Sequence, residues 1–117
     1  MYSDAVLDHF QNPRNAGDLS GATSTVEVSN PACGDIMRLA TRVENGRIAG
    51  VRFKTRGCVT SIACGSLLTE LMQGKSLDDL RAITPESISA ALGGLPSATF
   101  HGASLACDAL SNLLEKL

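Results

Sequence analysis

Apolar and polar residues along this chain change period twice. Tyr2 to Phe10 sets Val6, Leu7 and Phe10 against Asp4 and Asp8 at helical spacing, and Asn12-Pro13-Arg14-Asn15-Ala16-Gly17 ends that helix. Strict alternation follows. Thr23 to Ser29 alternates around Val26 and Val28, and Ile36 to Val43 opposes Met37, Leu39, Thr41 and Val43 to Arg38 and Arg42, as half-buried strands do. Glu44-Asn45-Gly46-Arg47 then predicts a hairpin, because a type I′ turn takes positive φ at both central residues. A third strand runs from Ile48 to about Thr55, with Val51 and Phe53 on one side and Arg52, Lys54 and Arg56 on the other.

Beyond Cys58 the spacing lengthens again. Thr60 to Gln73 carries Ala63, Leu67, Leu68, Leu71 and Met72 on one stripe, and Gly74 suits the residue past a helix end. Ser76-Leu77-Asp78-Asp79 opens a short helical turn, and Thr84-Pro85-Glu86 opens another that Gly93-Gly94-Leu95-Pro96 closes. A last helix from about Gly102 to Leu117 turns Ala106, Leu110, Leu113, Leu114 and Leu117 inward. The order predicts an α+β fold: a three-stranded antiparallel sheet with helices packed on one face.

Composition narrows the function classes. With 117 residues, 44% of them hydrophobic, the chain suffices for one core and is read as a single domain over residues 1–117. A net charge of -2 and 3% aromatic residues offer neither a basic field nor stacking platforms for nucleic acid. No apolar stretch is long enough to span a membrane, and the first residues lack the pattern of a signal peptide, so a soluble cytoplasmic protein is expected. Four cysteines in that compartment favour metal binding or thiol chemistry over disulfides.

Three of those cysteines stand at segment junctions. Cys33 and Cys58 are flanked by glycine or proline, which offers their thiols from bent backbone, and Cys107 follows His101-Gly102. A set of Cys33, Asp35, Cys58 and His101 would hold a metal through two soft thiolates, an imidazole and a harder carboxylate. Plainer roles exist for each. Cys64 shares helix positions with Leu67, Leu68 and Leu71 and reads as core, and Cys107 divides between burial beside Leu110 and Leu114 and a helix first turn, where the dipole lowers a thiol pKa. Asp35 can cap a turn, His101 can be an ordinary loop imidazole, and His9 reads as a partner of its own helix dipole. The Arg52, Lys54, Arg56 row reads as a solvated sheet face or as a docking strip for an acidic partner.

At these residues the chain resembles the U-type iron-sulfur cluster assembly scaffolds, IscU and the N-terminal domain of NifU. Asn30-Pro31-Ala32-Cys33-Gly34-Asp35 matches the family's N-P-x-C-G-D motif, and Phe53-Lys54-Thr55-Arg56-Gly57-Cys58 its F-K-x-x-G-C motif. Tyr2-Ser3-Asp4 to Asn12-Pro13-Arg14-Asn15, Thr69-Glu70 and Gly74-Lys75-Ser76-Leu77-Asp78 also match, so the likeness spans nearly the whole length. The resemblance implies a non-enzymatic scaffold on which a transient 2Fe-2S cluster forms from iron and from sulfur delivered by a cysteine desulfurase, then passes to apo-acceptor proteins. It places Cys33, Asp35, Cys58 and His101 at iron or zinc ligand positions, and leaves the protein a monomer or a homodimer.

Two departures stand out. Where the family usually has a third cysteine directly after the histidine, a cluster ligand and sulfur acceptor, this chain has Gly102. Cys107, roughly 7 Å along a helix axis from Gly102, is the first candidate substitute, and Cys64 the second. Leu95-Pro96-Ser97-Ala98-Thr99 replaces the L-P-P-V-K of scaffolds served by a specialised Hsp70 chaperone, which argues against handover by that chaperone. Two rival functions are a zinc-binding structural or regulatory module of the same fold and a persulfide sulfur carrier.

Overall fold

A computed structural model of the chain describes residues 2–31 and 34–117. Helix α1 spans Asp4–Gln11, strands β1, β2 and β3 span Ser24–Ser29, Ile36–Glu44 and Arg47–Arg56, and helices α2 to α5 span Val59–Met72, Leu77–Leu80, Pro85–Ala91 and His101–Lys116. The strands form an antiparallel sheet in the order β1-β2-β3. Asn45 at φ 56° and Gly46 at φ 73° make the turn between β2 and β3, the positive-φ pair that a type I′ hairpin takes. Alternation in β2 and β3 holds: Met37, Leu39, Thr41, Val51 and Phe53 are buried on the face covered by helices, while Arg38 and Lys54 are exposed on the other.

Helices α2 and α5 lie on this buried face, α2 against β3 and α5 against β1 and β2, with α1 packed outside α2. That arrangement overturns the single apolar stripe expected for α2. Ala63, Cys64, Gly65, Ser66, Leu67, Leu68, Thr69 and Met72 are all buried, because sheet, α1 and α5 enclose the helix on several sides. Cys64 is core, as its helix positions suggest.

Helix α1 departs from expectation in the opposite sense. Val6 is buried, but Leu7 and Phe10 remain exposed, and the inward position beside Val6 goes to His9. His9 does stand in the last turn of α1, where a helix dipole favours a cation, but its ring also engages α2. Its Nδ1 lies 2.7 Å from the Ser66 hydroxyl of α2, and its Nε2 lies 3.3 Å from Glu70. The Glu70 carboxylate can only accept, so the neutral ring carries its hydrogen on Nε2 and Nδ1 accepts from the Ser66 hydroxyl, whose oxygen also accepts the Arg14 backbone N–H. Burial foremost, then the Arg14 charge, holds the imidazole below its usual range.

The Asn12 to Gly17 segment does more than stop α1. Phe53 N–H donates to the Asn15 carbonyl and Gly17 N–H to the Phe53 carbonyl, so the segment covers part of the free edge of β3. At the other end of that strand, the Ile48 N–H donates to the Lys75 carbonyl and the Ile48 carbonyl accepts the Gly74 N–H, which seats the α2–α3 turn on the same edge. The basic row on the open sheet face is partly neutralised: Asp18 lies 2.9 Å from Lys54 and 3.9 Å from Arg38, and Glu27 lies 3.4 Å from Arg38. Arg52 donates to the Asn15 side chain and to the Val51 carbonyl, so within the row Lys54 is ion-paired and Arg52 is hydrogen-bonded to neutral groups.

Candidate metal centre

Between β1 and β2, the Asn30 N–H donates to the Asp35 carbonyl and the Gly34 N–H to the Asn30 carbonyl. This delivers Asp35 at the start of β2, 7% exposed. Strand β3 ends at Arg56, and Gly57 turns the chain into Cys58, the N-cap of α2 with φ -76° and ψ 170°. An ideal Cβ on Gly57 would fall 2.6 Å from Asp35 Cγ, so the residue before Cys58 has room for hydrogen only. The Cys58 side chain does not cap its own helix; the Asp35 carboxylate accepts the Cys58 backbone N–H instead, a negative group at the positive end of α2.

His101 belongs to the helix and not to the loop before it, as the first residue of α5. Helix α5 reaches α2 closely here. An ideal Cβ on Gly102 would stand 3.2 Å from Ser61 N, Ser61 Cα and Thr60 C, so the two helix N-termini meet through a residue without a side chain. Both positive helix ends therefore converge on one point, which favours thiolate, carboxylate and other anions there.

The donor atoms of Asp35, Cys58 and His101 lie within 4.8 Å of one another. Cys58 Sγ is 3.6 Å and Asp35 Oδ2 is 3.5 Å from His101 Nε2. Donors at ordinary metal distances around one tetrahedral ion stand roughly 3.3–3.8 Å apart, so these two separations fit edges of such a polyhedron. The mixed oxygen, nitrogen and sulfur set suits iron or zinc. Cys33, the remaining expected ligand, lies outside the described residues.

Ser61, which sequence reasoning passed over, is fully buried beside these groups. Its hydroxyl donates to Asp35 Oδ2 at 2.5 Å and lies 3.4 Å from Cys58 Sγ. Burial works against the Asp35 charge, but the Ser61 hydroxyl, the Cys58 N–H and thiol, and nearby His101 together outweigh it and hold the carboxyl below its usual range. A serine three residues after an N-cap cysteine is the signal that was available for it.

The candidate substitute thiols lie apart. Among the described residues, neither Cys107 nor Cys64 joins the three-donor group. Cys107 sits six residues into α5, beyond its first turn, so the expected lowering by the dipole gives way to burial, which with the charges of Asp108 and Glu86 pushes the thiol up to about 11. Burial, with Cys58 and Cys107 nearby, pushes Cys64 up to about 12. All three described cysteines are free thiols, and no helix among the described residues is long and apolar enough to cross a membrane.

Known proteins resemble this chain over most of its length. The NifU-like N terminal domain family matches residues 1–116. The chain is 46% identical over 110 residues to the iron-sulfur cluster assembly scaffold protein IscU 1 of Archaeoglobus fulgidus, covering 94% of this chain and 72% of that protein. It is 44% identical over 113 residues to the scaffold protein IscU of Escherichia coli K12, covering 93% and 88%. A crystal structure of a NifU-like N-terminal protein from Brucella abortus has the same fold, with a TM-score of 0.78 at 17% identity, covering 97% of this chain and 92% of that one.

Proposed function

Since this chain belongs to the NifU-like N-terminal domain family, we propose that it is a scaffold on which 2Fe-2S clusters are assembled and from which they are passed on. One observation carries the reading: a carboxylate, a thiol and an imidazole drawn from β2, the α2 N-cap and α5 converge where two helix N-termini meet. Iron and the cluster are cargo. Cys33, Asp35, Cys58 and His101 are the residues that would hold them, with the thiols binding as thiolates because a bound metal ion displaces their protons. The partners follow from the cargo: a cysteine desulfurase supplies sulfur to a cysteine of this chain, an iron donor supplies iron, and apo-proteins take the finished cluster. The protein positions these groups and catalyses no turnover of its own. The reduced thiols suit the cytoplasm.

Of the cysteines in the described residues, Cys58 is best suited to receive sulfur, because it is partly exposed and beside the other donors. Cys107 in the same role would need the start of α5 to open, since its thiol is protonated at neutral pH and outside the donor group. The donor separations also suit a tetrahedral zinc site, so the zinc module is the second reading.

Anaerobic incubation with ferrous iron, cysteine and a desulfurase separates the readings. Visible charge-transfer absorption with about two irons per site, or per dimer, is expected of the scaffold. Zinc alone with no colour would show the module, and a mass gain of sulfur with no iron would show a sulfur carrier.

A further inference from the structure

The Ser61 hydroxyl has one hydrogen and two negative or polarisable neighbours, Asp35 Oδ2 at 2.5 Å and Cys58 Sγ at 3.4 Å. The carboxylate is the stronger acceptor and takes the hydrogen, which leaves the serine lone pairs toward the Cys58 thiol. Ser61 itself is held firmly. It is fully buried in the first turn of α2, and its backbone N and Cα lie 3.2 Å from where a side chain on Gly102 would begin. An immobile donor thus grips the one carboxylate of the donor group.

On the reading of Asp35, Cys58 and His101 as metal ligands, we propose that Ser61 is a positioning residue that keeps Asp35 in the metal-binding rotamer, with Oδ2 turned toward His101 Nε2 3.5 Å away. Two effects compete. A hydrogen bond to a ligand oxygen withdraws electron density and weakens its bond to a metal, whereas a fixed rotamer spares the carboxylate the entropy of ordering. Positioning wins here, because Asp35 already accepts the Cys58 N–H in this geometry and the Ser61 hydroxyl is a second anchor, without which the carboxylate can rotate about the first and turn Oδ2 away from His101. Loss of such an outer partner typically weakens metal binding about 10- to 100-fold.

The test is a double-mutant cycle with Co2+ alone as the probe, titrated anaerobically by its visible absorption into the parent, Ser61→Ala, Asp35→Ala and the double variant. Asp35→Asn, which keeps the side-chain shape, serves as a second background should Asp35→Ala bind too weakly or lose its fold by circular dichroism. Ser61→Ala is expected to raise the Co2+ Kd about tenfold in the parent and to change it less than about twofold once Asp35 is replaced. An unchanged Kd in Ser61→Ala overturns the proposal, as does an equal loss in both backgrounds, which would mean that Ser61 acts through Cys58 or through the fold. A parent that binds no Co2+ sinks the metal-site reading itself, and this inference with it; that outcome is distinct from a parent that binds while Ser61→Ala binds equally well.

Discussion

Asp35 fills the space that a side chain on Gly57 would need: a Cβ there would meet Asp35 Cγ at 2.6 Å and both carboxylate oxygens at 2.8 Å. Two motif residues, one just before β2 and one just after β3, are therefore one steric unit, and the glycine before Cys58 admits the carboxylate. Gly57→Ala should push Asp35 off the Ser61 hydroxyl and the Cys58 N–H. The expected result is a Co2+ Kd raised about tenfold, the size of a lost outer partner, with stability lowered by about 1 kcal/mol, the low end for overpacking because a side chain can rotate aside. A variant that binds Co2+ as tightly as the parent would contradict the steric account.

Gly102 is the other close approach, and its neighbours are backbone. Ser61 N, Ser61 Cα and Thr60 C would each stand 3.2 Å from a new Cβ, and none can rotate away. Overpacking of this kind costs about 1–3 kcal/mol, against a gain of up to about 1 kcal/mol from replacing a helical glycine, so Gly102→Ala should be net destabilising by about 1 kcal/mol. Its thermal midpoint should fall by roughly 4 °C. Gly102→Cys should show the same loss and yet hold a reconstituted cluster longer against a chelator, because it adds a soft donor at the helix junction. Equal cluster lifetimes in the alanine and cysteine variants would count against that.

In the proposed site Asp35 would be the hard ligand in a soft set. A carboxylate serves a lone Zn2+ or Co2+ well but matches sulfide-bridged iron poorly. Asp35→Ala is therefore expected to weaken binding of the lone ion while slowing loss of a reconstituted cluster to a chelator, followed by the decay of visible absorption. Faster cluster loss in the variant would assign Asp35 to retention and not release.

The three described thiols should react in order of access and ionisation. At two units above the usual 9.0, Cys107 at about 11 has roughly a hundredfold less thiolate at neutral pH than an ordinary cysteine. Cys64, fully buried and at about 12, should stay unlabelled by iodoacetamide until the chain unfolds. Peptide mapping over a labelling time course should find Cys58 modified well before Cys107. Early labelling of Cys107 would instead support it as the substitute sulfur acceptor.

His9 links acid stability to the docking of α1 on α2. Its folded pKa is depressed below 6.5, so in the interval beneath that value the unfolded chain binds a proton that the folded chain refuses. Stability from this source is complete above about pH 6.5 and is lost as pH falls through the interval below it. The thermal midpoint should therefore drop between about pH 7 and pH 5.5, and His9→Gln should flatten that drop. Asp35, whose carboxyl is depressed below 3.8, contributes in the same direction only at lower pH, so the two effects separate. Equal slopes in parent and variant would remove His9 from the account.

Short-range pattern was enough to read the sheet and its hairpin. Val51 and Phe53 alternate with Arg52 and Lys54, and Asn45-Gly46 takes positive φ, because strand period and turn chemistry depend on neighbours in sequence. The same reasoning misjudged α1 and α2. Whether Leu7 or His9 faces inward depends on Ser66 and Glu70, more than fifty residues away, and no helical period in α1 carries that information. In α2 the small residues Ala63, Cys64, Gly65 and Ser66 look like a weak stripe until sheet, α1 and α5 are seen to enclose them.

The candidate site divides along the same line. The identities of Asp35, Cys58 and His101 were legible in local motifs, since ligand chemistry is a property of the side chain itself. Their meeting was not, because it depends on where β2, the α2 N-cap and α5 end relative to one another. Ser61 and Gly102 took their meaning only from packing: a buried hydroxyl acquires a role from the carboxylate it touches, and a glycine from the backbone that crowds it.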